Sequence, residues 1–124
     1  MDKKLVNKIK KDFEPFKDRI LGILLYGSTI KGTRTKRSDI DICIVAPDEK
    51  PLKLFRETLP LKYDVKIFET MPLFLQIQII QHHKVIYTKD IYELYEYFYW
   101  FRKQWDDQKQ RQRITRKEAI HMFS

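Results

Sequence analysis

The sequence has few of the features that mark a secreted or membrane protein. It contains a single cysteine, Cys43, which excludes an internal disulfide and fits a reducing compartment. Its longest apolar runs are too short to cross a bilayer, and the basic N-terminal residues 1–11 lack the apolar core of a signal peptide. No segment is low in complexity. These absences predict a cytoplasmic protein, with Cys43 as buried filler in an apolar strand.

The length and composition predict a single domain over residues 1–124, with a core at about 20–88 and a C-terminal helical extension at about 89–124. The hydrophobic content of 43% is ordinary for a globular protein. The formal net charge is +8, and the excess of Lys and Arg lies in residues 1–40 and 102–117. Two basic ends fit a polyanion-binding surface and a nucleotide enzyme that attracts phosphate about equally well.

Two acidic residues follow a turn of small residues between two apolar runs. The run Ile20–Tyr26 ends at Gly27-Ser28, and Asp39 and Asp41 enter the second strand, Asp39–Ala46. Residues i and i+2 of a strand point to the same face, so these aspartates offer two carboxylates to one point. Carboxylate and phosphate oxygens are the ligands that Mg²⁺ prefers. The pattern therefore predicts metal-assisted nucleotide chemistry, although Gly27-Ser28 alone would be read as an N-capped turn.

The same stretch resembles a known motif. Gly27-Ser28, ten intervening residues and Asp39-Ile40-Asp41 are similar to the GS-x10-D-x-D motif of the DNA polymerase β-like nucleotidyltransferases. The local sequences GSTIKG and SDIDI resemble the minimal nucleotidyltransferases (MNT), among them the MntA-type antitoxins of HEPN–MNT pairs. The resemblance implies an α/β (α+β) fold, a small mixed β-sheet backed by helices, to which the sequence adds an aromatic-rich C-terminal helix.

The resemblance also implies the residues of the site. A third carboxylate is expected on the next strand, where Asp64 matches and Glu69 is the rival. Asp39, Asp41 and Asp64 would be the catalytic residues and would bind two Mg²⁺ ions, and Asp64 would also act as general base. The residues expected to bind the nucleoside triphosphate are Gly27, Ser28, Lys31 and Ser38.

Periodicity predicts the remaining elements. The expected helices are Met1–Asp18 with a break near Glu14 at Pro15, Leu52–Leu59, and a helix that starts at Met71-Pro72; the expected strands are Leu61–Glu69 and Lys84–Thr88. His82 and His83 have no carboxylate or cysteine at ligand spacing, and we expect them to be helix-end residues rather than metal ligands.

The C-terminal segment is unusually aromatic. A helical stripe is expected to pack on the domain and comprises Ile91, Leu94, Tyr95, Phe98, Phe101 and Trp105. Tyr92, Tyr99 and Trp100 lie off that stripe. They predict a surface for a partner protein or for self-association, because interfaces are enriched in aromatic residues. The alternative is a terminal helix that only covers the core.

The sequence predicts an enzyme that transfers a nucleoside monophosphate, AMP from ATP by resemblance, to a hydroxyl acceptor. No acceptor-binding domain is recognisable, so a second polypeptide is expected to complete the site. The resemblance implies a tyrosine of a helical HEPN toxin as acceptor and an antitoxin role. Two alternatives stay open: an antitoxin that blocks its partner by binding alone, which would not need three acids, and a small nucleic-acid-binding protein.

Overall fold

The computed structural model describes the backbone of residues 3–27 and 40–123, and the side chains of these segments up to residue 109. That part of the chain contains four strands and four α-helices. The strands are β1 (Gly22–Leu25), β2 (Asp41–Val45), β3 (Asp64–Ile67) and β4 (Lys84–Thr88). The helices are α1 (Lys3–Asp12), α2 (Pro51–Thr58), α3 (Leu73–Gln81) and α4 (Ile91–Phe123), with short 3₁₀ turns at Glu14–Arg19, Leu59–Leu61 and Phe68–Thr70.

The strands form one mixed sheet in the order β3-β2-β1-β4. β1 runs antiparallel to both β2 and β4, whereas β2 and β3 are parallel. The C-terminal end of β1 therefore lies at the same edge of the sheet as the N-terminal ends of β2 and β3. This arrangement confirms the predicted small mixed sheet backed by helices.

Both faces of the sheet are covered. One face packs with Ile9 of α1 and Leu54 of α2, and the other packs with Ile79 of α3 and Leu94 of α4. All four residues of β1 are buried, which explains why its sequence is apolar without alternation. In β2, Ile42 and Ile44 face α1 and α2, and Cys43 and Val45 face α3 and α4. Cys43 is buried, as predicted.

The predicted elements are found, with shifted ends. α1 stops at Asp12, and the segment around Pro15 continues as a 3₁₀ turn because proline cannot extend the α-helical hydrogen bonding. β3 is shorter than the predicted strand Leu61–Glu69. Lys62 adopts a left-handed conformation (φ 62°) before it, and Phe68–Thr70 turns into a 3₁₀ helix after it. Within the described residues, no helix is both long and apolar enough to cross a membrane.

The prediction for the aromatic stripe of α4 is wrong at one position. Leu94 and Phe98 are buried as predicted, but Tyr95 is 52% exposed. Tyr97 is half-buried instead. The cause is Phe68, whose ring contacts the rings of Tyr97, Phe98 and Phe101 at centroid distances of 6.0, 5.4 and 4.9 Å. This contact turns the helix so that Tyr97 faces the domain and Tyr95 faces solvent.

The outward position of the other aromatic residues is confirmed. Tyr92 is 83% exposed, Tyr99 is 58% exposed and Trp100 is 55% exposed. The ring of Trp100 contacts Tyr99 edge to face at 5.8 Å and lies under the ammonium of Lys103 at 5.4 Å. We refer to Tyr92, Tyr95, Tyr99 and Trp100 as the outer aromatic surface of α4.

A largely buried carboxylate ties α4 to the sheet. One oxygen of Glu69, Oε1, accepts a hydrogen bond from the backbone amide of Ala46 at 3.0 Å. The other, Oε2, accepts one from the hydroxyl of Tyr97 at 2.8 Å. Burial raises the pKa of Glu69 above its ordinary value, and the two hydrogen bonds offset only part of that shift.

This shift makes a prediction for stability. The folded protein binds the Glu69 proton more tightly than the unfolded chain does. The stabilisation from this group is therefore complete below the unfolded pKa, about 4.3, and is lost as the pH rises through the raised folded pKa. Glu69→Gln should remove that pH-dependent loss, which urea denaturation at a series of pH values would measure. Glu96→Gln, an exposed glutamate of α4, is the control. A difference between wild type and Glu69→Gln that does not vary with pH would contradict the prediction.

Candidate active site

Asp41 and Asp64 lie side by side at one edge of the sheet. They are register partners in the parallel pairing of β2 with β3, and the amide of Asp64 donates to the carbonyl oxygen of Ile40 at 3.0 Å. Register partners on neighbouring strands point to the same face. That face is the one covered further along by α3 and α4, because Cys43 follows Asp41 by two residues there. Neither carboxylate is buried: Asp41 is half-exposed, and the Asp64 side chain is 45% exposed.

Gly27 lies at the same edge of the sheet, against Asp41. It follows β1 with a positive φ of 64°, a conformation that favours glycine. A Cβ atom at this position would lie 2.7 Å from Oδ2 of Asp41, which is too close for any side chain. The backbone amide of Tyr26 donates to the carbonyl oxygen of Asp41 at 3.3 Å and holds the turn against β2. The absence of a side chain at residue 27 therefore leaves the Asp41 carboxylate its room.

The structure separates the two candidates for the third acid. Asp64 shares a face and an edge with Asp41, whereas Glu69 lies beyond the far end of β3 and uses both oxygens on Ala46 and Tyr97. This placement favours Asp64. The other predicted site residues lie outside the described part of the chain: Ser28, Lys31, Ser38 and Asp39.

Lys66 is a residue for which the sequence suggested no role. It lies on β3 two residues after Asp64, so both side chains point to one face, and its Nζ is 3.7 Å from Oδ1 of Asp64. Both groups are about half exposed, so this ion pair contributes little to stability. It does place the positively charged ammonium group of Lys66 beside the carboxylates. The alternation of side chains along β3 puts Lys66 on the same face as Asp64. This pattern in the sequence could have identified Lys66 as a neighbour of the site.

Tyr26 lies at the same edge and is half-buried. Burial raises the pKa of its phenol, and the nearby carboxylates of Asp41 and Asp64 raise it further. The hydroxyl is therefore protonated at neutral pH. Burial likewise raises the pKa of the Cys43 thiol, so Cys43 is not a reactive thiolate.

An open cleft adjoins these residues, between the sheet edge and α3. Its volume is about 870 Å³. The cleft is lined by Tyr26, Gly27, Lys66, Thr70, Met71, Pro72, Leu75, Gln78, Ile79, Gln81 and His82. Pockets of this size hold small molecules.

The acids at this edge have the oxygen donors that Mg²⁺ requires. Within the described residues, no three His, Cys, Asp or Glu side chains converge on one point, and Asp39 lies outside that part of the chain. Asp41 and Asp64 supply carboxylate oxygens on one face, and the missing side chain at Gly27 gives the Asp41 carboxylate its room. The donor set fits a hard cation. His82 and His83 follow the end of α3 as predicted, and Nδ1 of His83 donates to the carbonyl oxygen of Ile79 at 2.8 Å.

Similar proteins define the class to which this chain belongs. The family model described as "Polymerase beta, Nucleotidyltransferase" matches residues 7–92. A protein of Methanocaldococcus jannaschii that is named as a protein adenylyltransferase is 50% identical over 102 residues, which cover 82% of this chain and 83% of the relative. The chain therefore belongs to the polymerase β nucleotidyltransferase family, and it is a nucleotidyltransferase.

Solved structures share the fold. A chain from the complex of a tri-AMPylated Shewanella oneidensis HEPN toxin with its MNT antitoxin has a TM-score of 0.64 and 20% identity, covering 97% of this chain and 99% of that one. A chain from a toxin–antitoxin structure with AMP-PNP has a TM-score of 0.58 and 23% identity, covering 93% and 94%.

The contact between Gly27 and Asp41 makes a prediction. Gly27→Ala should weaken binding of ATP with Mg²⁺ by more than its effect on folding accounts for, because the new methyl group must displace the Asp41 carboxylate. The left-handed conformation alone should cost about 1–2 kcal/mol of stability. Titration calorimetry and urea denaturation measure the two effects.

Gly22→Ala is the matched control for this prediction. A Cβ atom there would meet the carbonyl oxygen of Tyr87 at 3.3 Å, away from the acids. It should therefore affect stability and leave nucleotide affinity unchanged. If a folded Gly27→Ala protein binds ATP as the wild type does, the turn has only a structural role.

Proposed function

We propose that this nucleotidyltransferase transfers AMP from ATP to a tyrosine hydroxyl of a helical HEPN-type toxin and thereby acts as its antitoxin. The observation that carries the proposal is the placement of Asp41 beside Asp64 at one edge of the sheet, next to the turn at Gly27. The relative named as a protein adenylyltransferase supports a protein acceptor. The AMPylated HEPN toxin in a complex of the same fold supports the identity of the partner.

In the proposed reaction the acceptor oxygen attacks the α-phosphorus of ATP. A bond forms between that oxygen and phosphorus, and the bond from the α-phosphorus to the bridging oxygen breaks, so pyrophosphate leaves. The hydroxyl proton passes to the carboxylate of Asp64, which acts as general base. Asp64 suits this role because it is half-exposed at the edge of the sheet, where an acceptor can approach. The triphosphate is bound by Gly27, Ser28, Lys31 and Ser38.

Asp39, Asp41 and Asp64 are proposed to hold Mg²⁺. Two ions bound there would lower the pKa of the acceptor hydroxyl and stabilise the pyrophosphate leaving group. Two observations support this proposal: the strand register brings the carboxylates of Asp41 and Asp64 to one face, and neither is buried in the core.

The acceptor comes from a second polypeptide in this proposal, and the outer aromatic surface of α4 is the surface proposed to bind it. Its four residues are all more than half exposed. Such contiguous aromatic surface is uncommon on a monomer of this size and is typical of interfaces. The domain would then comprise the core and a helical extension, α4, that binds the partner.

The acids provide the central test. Asp41→Asn or Asp64→Asn should lower AMP transfer to the HEPN partner by about 100-fold or more, because each removes a negative oxygen and Asp64→Asn also removes the base. Mass spectrometry of the partner after incubation with ATP and Mg²⁺ measures the product. Asp48→Asn, an exposed aspartate in the turn after β2, should leave transfer unchanged. If the two site variants still neutralise the toxin fully while no AMP is transferred, the protein is a binding-only antitoxin.

The outer aromatic surface provides a second test. Tyr99→Ala combined with Trp100→Ala should weaken complex formation with the HEPN partner and leave binding of ATP with Mg²⁺ unchanged, because both rings lie on α4 and outside the cleft. Leu52→Ala combined with Leu59→Ala is the control, since these residues are 63% and 59% exposed. Analytical ultracentrifugation would follow complex formation and self-association together. Normal binding and modification by the aromatic double variant would restrict α4 to covering the core.

A further inference from the structure

The cleft beside α3 touches the neighbours of both acids. Gly27 forms one part of its wall, and a Cβ atom there would meet Asp41. Lys66 forms another part, and its Nζ is 3.7 Å from Oδ1 of Asp64. A molecule that binds its phosphates at the acids can therefore extend into the cleft without leaving the protein surface.

The lining of the cleft changes from apolar to polar. Leu75 and Ile79 are one helical turn apart on α3, Met71 lies just before that helix, and the three present an apolar wall. Leu75 is 36% exposed, so part of this wall faces open space rather than the core. Gln78, Gln81 and His82 are exposed around the wall and carry amide and imidazole groups, which both donate and accept hydrogen bonds.

We propose that this cleft binds the nucleoside of the triphosphate, with its base against Met71 and Leu75 and the edge of the base hydrogen-bonded by Gln78. The inference rests on the proposed function of the adjoining site and names the residues that select the nucleotide. A nucleobase is flat and apolar on its faces and polar only at its edges. This matches an apolar wall that is surrounded by the polar residues Gln78, Gln81 and His82. Lys66 stands at the junction, where its ammonium contacts the phosphate nearest the ribose.

Position distinguishes the nucleoside from the acceptor as the occupant. The cleft opens from the turn at Gly27, which belongs to the triphosphate side of the proposed site. A volume of about 870 Å³ lies within the range of small-molecule pockets. The acceptor has a separate approach, because the Asp64 side chain is 45% exposed and is not part of the cleft lining.

The test compares ATP with inorganic tripolyphosphate, which has the phosphates and lacks the nucleoside. Titration calorimetry uses the full chain with Mg²⁺ and no partner protein. Leu75→Ala and Gln78→Ala should each lower ATP affinity about tenfold, the effect of losing one well-placed contact, and leave tripolyphosphate affinity unchanged. Gln78→Ala should also reduce the preference for ATP over GTP, CTP and UTP. Both side chains are exposed, so the variants should fold normally, as thermal denaturation would verify.

Matched controls are available nearby. Phe74 precedes Leu75 on α3 and is 52% exposed, but it does not line the cleft. Gln104 is an exposed glutamine of α4. Phe74→Ala and Gln104→Ala should leave the affinity for both ligands within about twofold of wild type, because neither removes a contact in the cleft.

Three outcomes would overturn the inference. If the wild-type protein binds tripolyphosphate as tightly as ATP, the nucleoside contributes nothing to the affinity. Cleft variants with unchanged ATP affinity place the nucleoside elsewhere. Cleft variants that change only the KM for the partner protein assign the cleft to the acceptor. Failure of the proposed function would look different: ATP would bind through the cleft, and no AMP would reach the HEPN partner.

Discussion

The hydrogen-bonded register between the parallel strands β2 and β3 sets Asp41 directly across from Asp64. The amide of Asp64 reaches back to the carbonyl oxygen of Ile40, so the pairing begins at the residues that carry the site. Side chains alternate along a strand, and a slip of one residue would send one carboxylate to the opposite face. The site therefore depends on a single backbone alignment that residues elsewhere in the sheet must enforce.

Burial enforces that alignment. Val65 and Ile67 are buried on the α1 and α2 side, and Phe68 is buried against α4. A slip of β3 by one residue would bring Lys66, now 55% exposed, toward the core and would expose isoleucine or valine. Glu69 fixes the other end of the same segment through Ala46, the residue after β2, and Tyr97 on α4. The core and the buried carboxylate thus position acids that lie outside the core.

The sequence allowed the strands and the acids on them to be predicted because their signals are local. Alternation along β3 placed Asp64 on one face and Val65 on the other, and β4 was predicted with its observed bounds. The exchange of Tyr95 and Tyr97 on α4 could not be predicted, because it depends on where the Phe68 ring meets the helix. The cleft could not be predicted for the same reason. Its wall combines the turn after β1 with β3 and α3, which only the tertiary fold brings together.

The sheet also determines where a partner can act. α4 packs on the face of the sheet that carries Asp41 and Asp64, and α1 and α2 cover the other face. A protein bound along α4 therefore lies on the side of the acids. The cleft occupies part of that side next to α3, and the exposed carboxylate of Asp64 lies at its border. Under the proposed function, nucleotide and acceptor reach the same carboxylates from two directions, as an in-line transfer of a nucleotidyl group requires.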